Sequence, residues 1–241
     1  MTATILSAFL VAQPLGAAEI DPDAEDVLRG MCEALGGLEA FTVTSAASTE
    51  VILQDGRKLQ LVATTNAIVD RGAGFRFTRQ GAFGAVEVVF DGATLTVWSE
   101  ATGGYAATQA AGDLDAGLDA LLATFGESAA GGADLLYADP CSNLMNGVDR
   151  GDYIGVANID GQSAHHIYYR AAEHDWQLWI STEAPALPVR YVITSKWVTG
   201  APQFIAQFRD WSLGAQDDFA FAAPEGAREL GSAEVVLEGV K

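Results

Sequence analysis

Basic residues are scarce in this chain. Its 241 residues include 32 aspartates and glutamates against 13 lysines and arginines, a formal net charge of −19. A field of that sign repels phosphate backbones, so nucleic acid is excluded as an expected partner, and anionic membrane surfaces are disfavoured for the same reason. Signature motifs are missing as well. No GxGxxG follows a strand pattern and no GxxxxGK[ST] is present, so neither usual phosphate-cradling loop is available. GxSxG is absent, which removes the exposed serine nucleophile of the hydrolase elbow. The three histidines, His165, His166 and His174, lie within ten residues, with no HxH or HxxxH spacing and no cysteine partner, so no metal site is expected. No cofactor is expected either.

Long apolar runs are also lacking beyond the N-terminus. There, MTATILSAFLVAQPLGAAEI holds a short apolar stretch from Ile5 to Ala12, then Pro14, then Gly16-Ala17-Ala18 before acidic sequence. It is too short to stay in a bilayer and resembles the apolar core and small-residue cleavage site of a secretory signal. The expectation is a signal peptide over 1–18 and one mature domain over 19–241, soluble in the periplasm. Only two cysteines are present, Cys32 and Cys141. In an oxidising compartment they can form one bridge, or each can remain a buried free thiol.

The apolar fraction, 49%, is ample for a core. After the leader, DPDAEDVLRGMCEALGG has an aspartate to cap a helix, acids in its first turn and a glycine pair to end it, with Val27, Leu28, Met31, Cys32 and Leu35 on one stripe. From Phe41 to about Ala110 the period changes to two, broken by DGRK and Asp91-Gly92 as hairpin turns. DLDAGLDALLATFG then puts Leu114, Leu118, Leu121, Leu122 and Phe125 on one helical face, and short helical pieces follow in ADLLYADPCSNLMNG. Strand patterns resume at DYIGVANIDG and continue through PQFIAQFRDWSLG. The total is about eleven strands and three helical segments. Consecutive strands on short turns form an antiparallel meander, and so many strands curl toward a barrel.

The histidines sit in SAHHIYYRAAEHDWQLWI. On a strand His165, Ile167 and Tyr169 share one face while His166, Tyr168 and Arg170 share the other, so adjacent imidazoles cannot meet on one ion. No catalytic residue is assigned. One-sided apolar rows run across the predicted sheet, and those expected to line its concave side are Phe75 and Phe77; Val86, Val88 and Phe90; Leu95 and Val97; Ile167 and Tyr169; Leu178 and Ile180; Tyr191 and Ile193; Phe204 and Phe208. Whatever part of that surface the helices leave open is a hydrophobic pocket. The alternative is a core filled throughout. Glu87, on an otherwise apolar strand, is expected to point outward.

The segments RKLQLVATTNAIVDR, VFDGATLTVWSE with the following GGYA, ADLLYADP, and SAHHIYYRAAEHDWQLWI through LPVRYVITSKW resemble a bacterial family of predicted periplasmic proteins of unknown function, grouped with the LolA/LolB-like superfamily of lipoprotein carriers. The resemblance covers nearly the whole mature chain. It implies an α+β, mainly β architecture: an incomplete antiparallel barrel of about eleven strands, with helices as a lid over an apolar cavity. The function expected is non-enzymatic binding or carriage of a lipid or acyl-type ligand, with a membrane or envelope protein as a further partner. Two alternatives stand beside it: a periplasmic sensor or protein-interaction domain using the curved sheet, and a hydrolase using His165 or His166.

Overall fold

The computed structural model describes residues 19–126, 132–214 and 217–237. The expected signal peptide, 1–18, lies outside the described residues.

Thirteen strands among them form one open sheet. The first meander runs through β2 (Ala40–Ile52), β3 (Lys58–Asp70), β4 (Gly74–Gly81), β5 (Gly84–Phe90), β6 (Thr94–Ser99) and β7 (Gly104–Gln109). The second runs through β8 (Val148–Ile159), β9 (Gln162–Ala171), β10 (His174–Ser181), β11 (Pro188–Ser195) and β12 (Gln203–Leu213). Within each, neighbours in sequence are antiparallel neighbours in space, as short turns require. The meanders join where β12 pairs with β2, so the last long strand and the first lie side by side at mid-sheet. Two-residue strands β1 (Glu19–Ile20) and β13 (Arg228–Glu229) add parallel to β8 and β7 at the two margins. The eleven strands expected from alternation are all present; the two extra ones are too short to leave a periodic signal.

Helix α1 (Pro22–Gly36) starts at Asp21, whose side chain accepts from the Asp23 amide, has Pro22 in its first turn, and stops at Gly37. Its inward stripe is Ala24, Leu28, Met31, Cys32 and Leu35. Helix α2 (Leu114–Phe125) is capped by Asp113 and buries Leu114, Gly117, Leu118 and Leu121. The short α3 (Pro140–Leu144) follows a 3-10 turn at Ala133–Leu135. α1 lies on β8 and β9, and α2 on β4 and β6. α1 and α2 therefore cover the two wings of one face.

The chain end wraps the sheet from the other side. Arg76, on the outer face of β4, pairs with Glu87 and with Asp217 (Nε–Oδ2 2.9 Å), and its Nη2 donates to the Ala220 carbonyl. Glu87 thus points outward, into this ion cluster. The pairing fixes a strap that buries Phe219. The chain then rounds the β7 margin: Val235 enters the core, and Ser99 Oγ donates to the Val236 carbonyl at 2.7 Å.

Candidate functional site: an apolar cavity under the helical roof

The register brings small side chains together where the meanders join. On β2 and β3, Val43 faces Ala67, Ser45 faces Thr65, Ala47 faces Ala63 and Thr49 faces Leu61. On β4, Gly81 lies opposite Ala63. Most of these inward positions carry small side chains, and a cavity of about 630 Å³ lies over them. Phe77, Val86 and Val88 wall it on one side; Trp176, Tyr191, Ile193, Phe204 and Phe208 wall it on the other. Leu122 of α2 and Leu135, Leu136 and Leu144 of the segment 132–146 form the roof.

Seven of the expected lining residues are in this wall: Phe77, Val86, Val88, Tyr191, Ile193, Phe204 and Phe208. The other eight are on the same face but do not line the cavity. Phe75, Phe90, Leu95 and Val97 belong to the core shared with α2, and a Cβ on Gly117 of that helix would come within 2.5 Å of the Phe90 ring. Ile167, Tyr169, Leu178 and Ile180 are buried in the same core on the α1 wing. Alternation identifies the inward face of a strand; which stretch of it a helix covers depends on tertiary packing. The β2 and β3 residues were missed because serine, threonine and alanine do not read as an apolar row. The available signal was two long successive strands with small residues at alternate positions.

The roof is held by polar and covalent links. Cys32 and Cys141 form a disulfide that staples α1 to α3. Arg71, in the β3–β4 turn, donates to three carbonyls: Leu38 (3.0 Å), Leu136 (2.8 Å) and Leu35 (3.2 Å). Burial lowers its pKa, with Asp115 opposing, yet a guanidinium in this setting keeps its charge. Tyr137 Oη donates to Asp119 (2.8 Å), and the Ala138 amide donates to Asp115 (2.9 Å), tying the roof to α2. Burial, then the Asp119 hydrogen bond, push the Tyr137 hydroxyl pKa upward, so it stays a donor. Inside the cavity Tyr191 Oη donates to Asp134 at 3.3 Å, and Arg79 Nη2 donates to the Leu237 carbonyl at 2.9 Å.

The histidines are dispersed. His165 Nδ1 is 2.9 Å from Tyr153 Oη. His166, on the outer face, stacks on Trp179 with centroids 4.0 Å apart and its Nε2 2.9 Å from Gln177 Oε1. Burial depresses its pKa, with the Gln177 hydrogen bond pulling the other way. His174 is at the cavity mouth beside Ser195. Among the described residues no group of three or more histidine, cysteine, aspartate or glutamate side chains could hold a metal ion. No helix among them is long and apolar enough to cross a membrane.

The fold recurs in solved structures. Lipoprotein LppX of Mycobacterium tuberculosis superposes with a TM-score of 0.51 at 15% identity, over 81% of this chain and 98% of that one. An uncharacterized conserved protein from Thermus thermophilus superposes with a TM-score of 0.50 at 11% identity, over 87% and 99%. A LolA superfamily protein from Nitrosomonas europaea also matches, with a TM-score of 0.36 at 10% identity, over 81% and 95%. No curated protein matches the chain in sequence. The family described as predicted periplasmic protein (DUF2092) matches residues 24–231, nearly all of the sheet and its helices, and the chain belongs to that family.

Proposed function

We propose that this periplasmic protein is a non-enzymatic binder or carrier of a lipid or acyl-type ligand. The cavity carries the reading. Its walls are mainly aliphatic and aromatic, its floor is lined by small side chains and its roof is leucine-rich, with Arg79, Asp134, Asn143 and Asn146 as polar members of the lining. Taking about 30 Å³ as the volume of one water in the liquid, the space suits roughly twenty atoms of that size, the scale of one acyl chain. Each methylene moved there from water gains about 0.8 kcal/mol. The grouping of its family with the LolA/LolB-like superfamily of lipoprotein carriers supports the same class of ligand.

Native mass spectrometry of the purified protein is the direct test. A mass increment equal to one lipid, removed by organic extraction and regained on incubation with a fatty acid, is expected. An unliganded mass, together with no uptake of cis-parinaric acid, overturns the reading.

One observation favours the alternative of an interaction domain. Beyond the two residues paired to β1, the outer margin of β8 has no strand beside it among the described residues, and Ile154 and Val156 are exposed there. An unpaired strand edge can accept an extended peptide from a partner. A protein that stays empty and monomeric under native mass spectrometry fits that reading.

A further inference from the structure

The cavity lining reaches one end of the sheet at Ala82, Phe83, Glu173, His174 and Ser195, and the turns 53–57 and 196–202 lie at the same strand ends. Contacts between these segments define the rim. The Lys196 amide donates to the Glu173 carbonyl at 3.0 Å, Trp197 Nε1 donates to the Ala172 carbonyl at 2.8 Å, and Gly200 lies against Ile52 of the β2–β3 hairpin. Phe83 and His174 face both the rim and the cavity.

Large apolar side chains are concentrated at this rim. Nine large hydrophobic side chains stand exposed among the described residues, and four are at the rim: Trp197 (74% exposed), Val198 (50%), Phe83 (36%) and Leu59 (36%). Trp197 has its one polar group already bonded to Ala172, so the indole is held in place with its apolar body in water. An amphipathic ring in that state suits the boundary between headgroups and acyl chains.

Charge points the same way. The chain carries a net −19 and has three lysines. Both lysines among the described residues, Lys58 and Lys196, are at the rim with Arg57. Each is matched to an acid: Lys58 to Glu50 (2.8 Å), Arg57 to Asp55 (2.7 Å) and Lys196 to Asp175 (3.2 Å). The rim is thus close to charge balance while the body is strongly acidic. Long-range repulsion from an anionic surface turns the body away and leaves this end facing it.

We infer that the rim docks on a lipid bilayer, with Trp197, Val198 and Phe83 in the headgroup layer and the cavity mouth against the acyl region. The ligand then passes between bilayer and cavity without crossing water. This inference rests on the acyl-binding reading above and deepens it.

The test uses the mature protein, phosphatidylcholine vesicles with a minor share of phosphatidylglycerol, and cis-parinaric acid as the transferred probe. Brominated phosphatidylcholine is expected to quench wild-type tryptophan emission, and Trp197→Phe to weaken that quenching, what remains coming from Trp176 and Trp211 in the cavity wall. The wild-type transfer rate is expected to rise with vesicle concentration. In Trp197→Ala/Val198→Ser it should fall at least about tenfold, since withdrawing one large apolar side chain from an interface is alone worth about that factor, with affinity for the free probe unchanged. Absence of quenching, quenching undiminished in Trp197→Phe, or a wild-type rate independent of vesicle concentration overturns docking. Failure of the wild type to bind free cis-parinaric acid overturns the acyl-binding reading instead, and is read separately.

Discussion

Arg71 Nη1 donates to the Leu136 carbonyl at 2.8 Å, joining the β3–β4 turn of the sheet to the roof of the cavity. The same guanidinium bonds the carbonyls of Leu35 and Leu38 at the end of α1, so one side chain fixes three chain segments around one corner of the cavity. Hydrogen bonds from a charged donor are worth more than neutral ones, and these carbonyls have limited access to water. Arg71→Ala is expected to cost about 2–3 kcal/mol in urea unfolding, on the scale of a charged hydrogen-bond group. It should also speed release of a bound acyl probe in stopped flow, because Leu136 loses its tether. Arg71→Lys should recover only part of the loss, since an ammonium cannot span three carbonyls in a planar fork.

Ala63 faces Ala47 on β2 and Gly81 on β4, on the floor of the cavity. Ala63→Phe would put a ring into space that is open in the folded protein, so no core neighbour has to yield. Stability should change by less than about 1 kcal/mol, in contrast to overpacking of a filled core. Uptake of cis-parinaric acid in a fluorescence titration should be lost. If the variant binds the probe as well as wild type, the ligand does not sit on this floor.

Much of the sheet can be read from alternation, and the reason is physical. Phe75, Phe77, Val86, Val88 and Phe90 alternate with outward residues, and a period of two has only two faces to choose between. The same rule separated His166 from His165. Where the cavity would lie is not a local property. Phe75 and Phe77 are two residues apart on one face, yet only Phe77 lines the space. The difference is made by α2, more than thirty residues further on, resting its Gly117 on Phe90. Nor does any local pattern show that β12 returns to β2, which places Phe204 and Phe208 beside Thr49 and Ser45. That long-range pairing assembles the wall.

Gly117 illustrates how close that helix lies. A Cβ there would fall 2.5 Å from Phe90 Cδ1, well inside contact distance. In a helix interior alanine is ordinarily favoured over glycine by about 1 kcal/mol, so the usual expectation for Gly117→Ala is stabilisation. Here packing outweighs propensity, and the substitution should destabilise by about 1–3 kcal/mol as α2 is pushed off the sheet. Differential scanning calorimetry gives the sign directly, and a raised melting temperature would contradict the close packing.

The disulfide spans 109 residues between Cys32 and Cys141. A cross-link over so long a loop restricts the unfolded chain strongly, and its removal should cost about 2–4 kcal/mol. Because it joins α1 to α3, the loss should not be uniform. In Cys32→Ser/Cys141→Ser, hydrogen exchange is expected to accelerate most in the roof, 132–146, and least in the central strands β2 and β3. Uniform acceleration would mean that the roof and the sheet open as one unit.

His166 gives the fold a pH dependence whose sign follows from its surroundings. Its ring is stacked on Trp179, and Arg190 holds its guanidinium carbon 5.5 Å from the same indole. Burial lowers the imidazole pKa below its ordinary value of about 6.5, the Gln177 hydrogen bond opposing in part. The unfolded chain therefore takes up the proton first as the solution is acidified, and protons stabilise the unfolded state. The contribution of the neutral ring is intact above about pH 6.5 and is lost as pH falls through the depressed folded value. His166→Phe keeps an aromatic partner for Trp179 and removes the titration. Urea midpoints measured between about pH 7 and 5, above the range where most carboxylates titrate, should fall less steeply for this variant than for wild type. Parallel profiles would show that the stack tolerates an imidazolium.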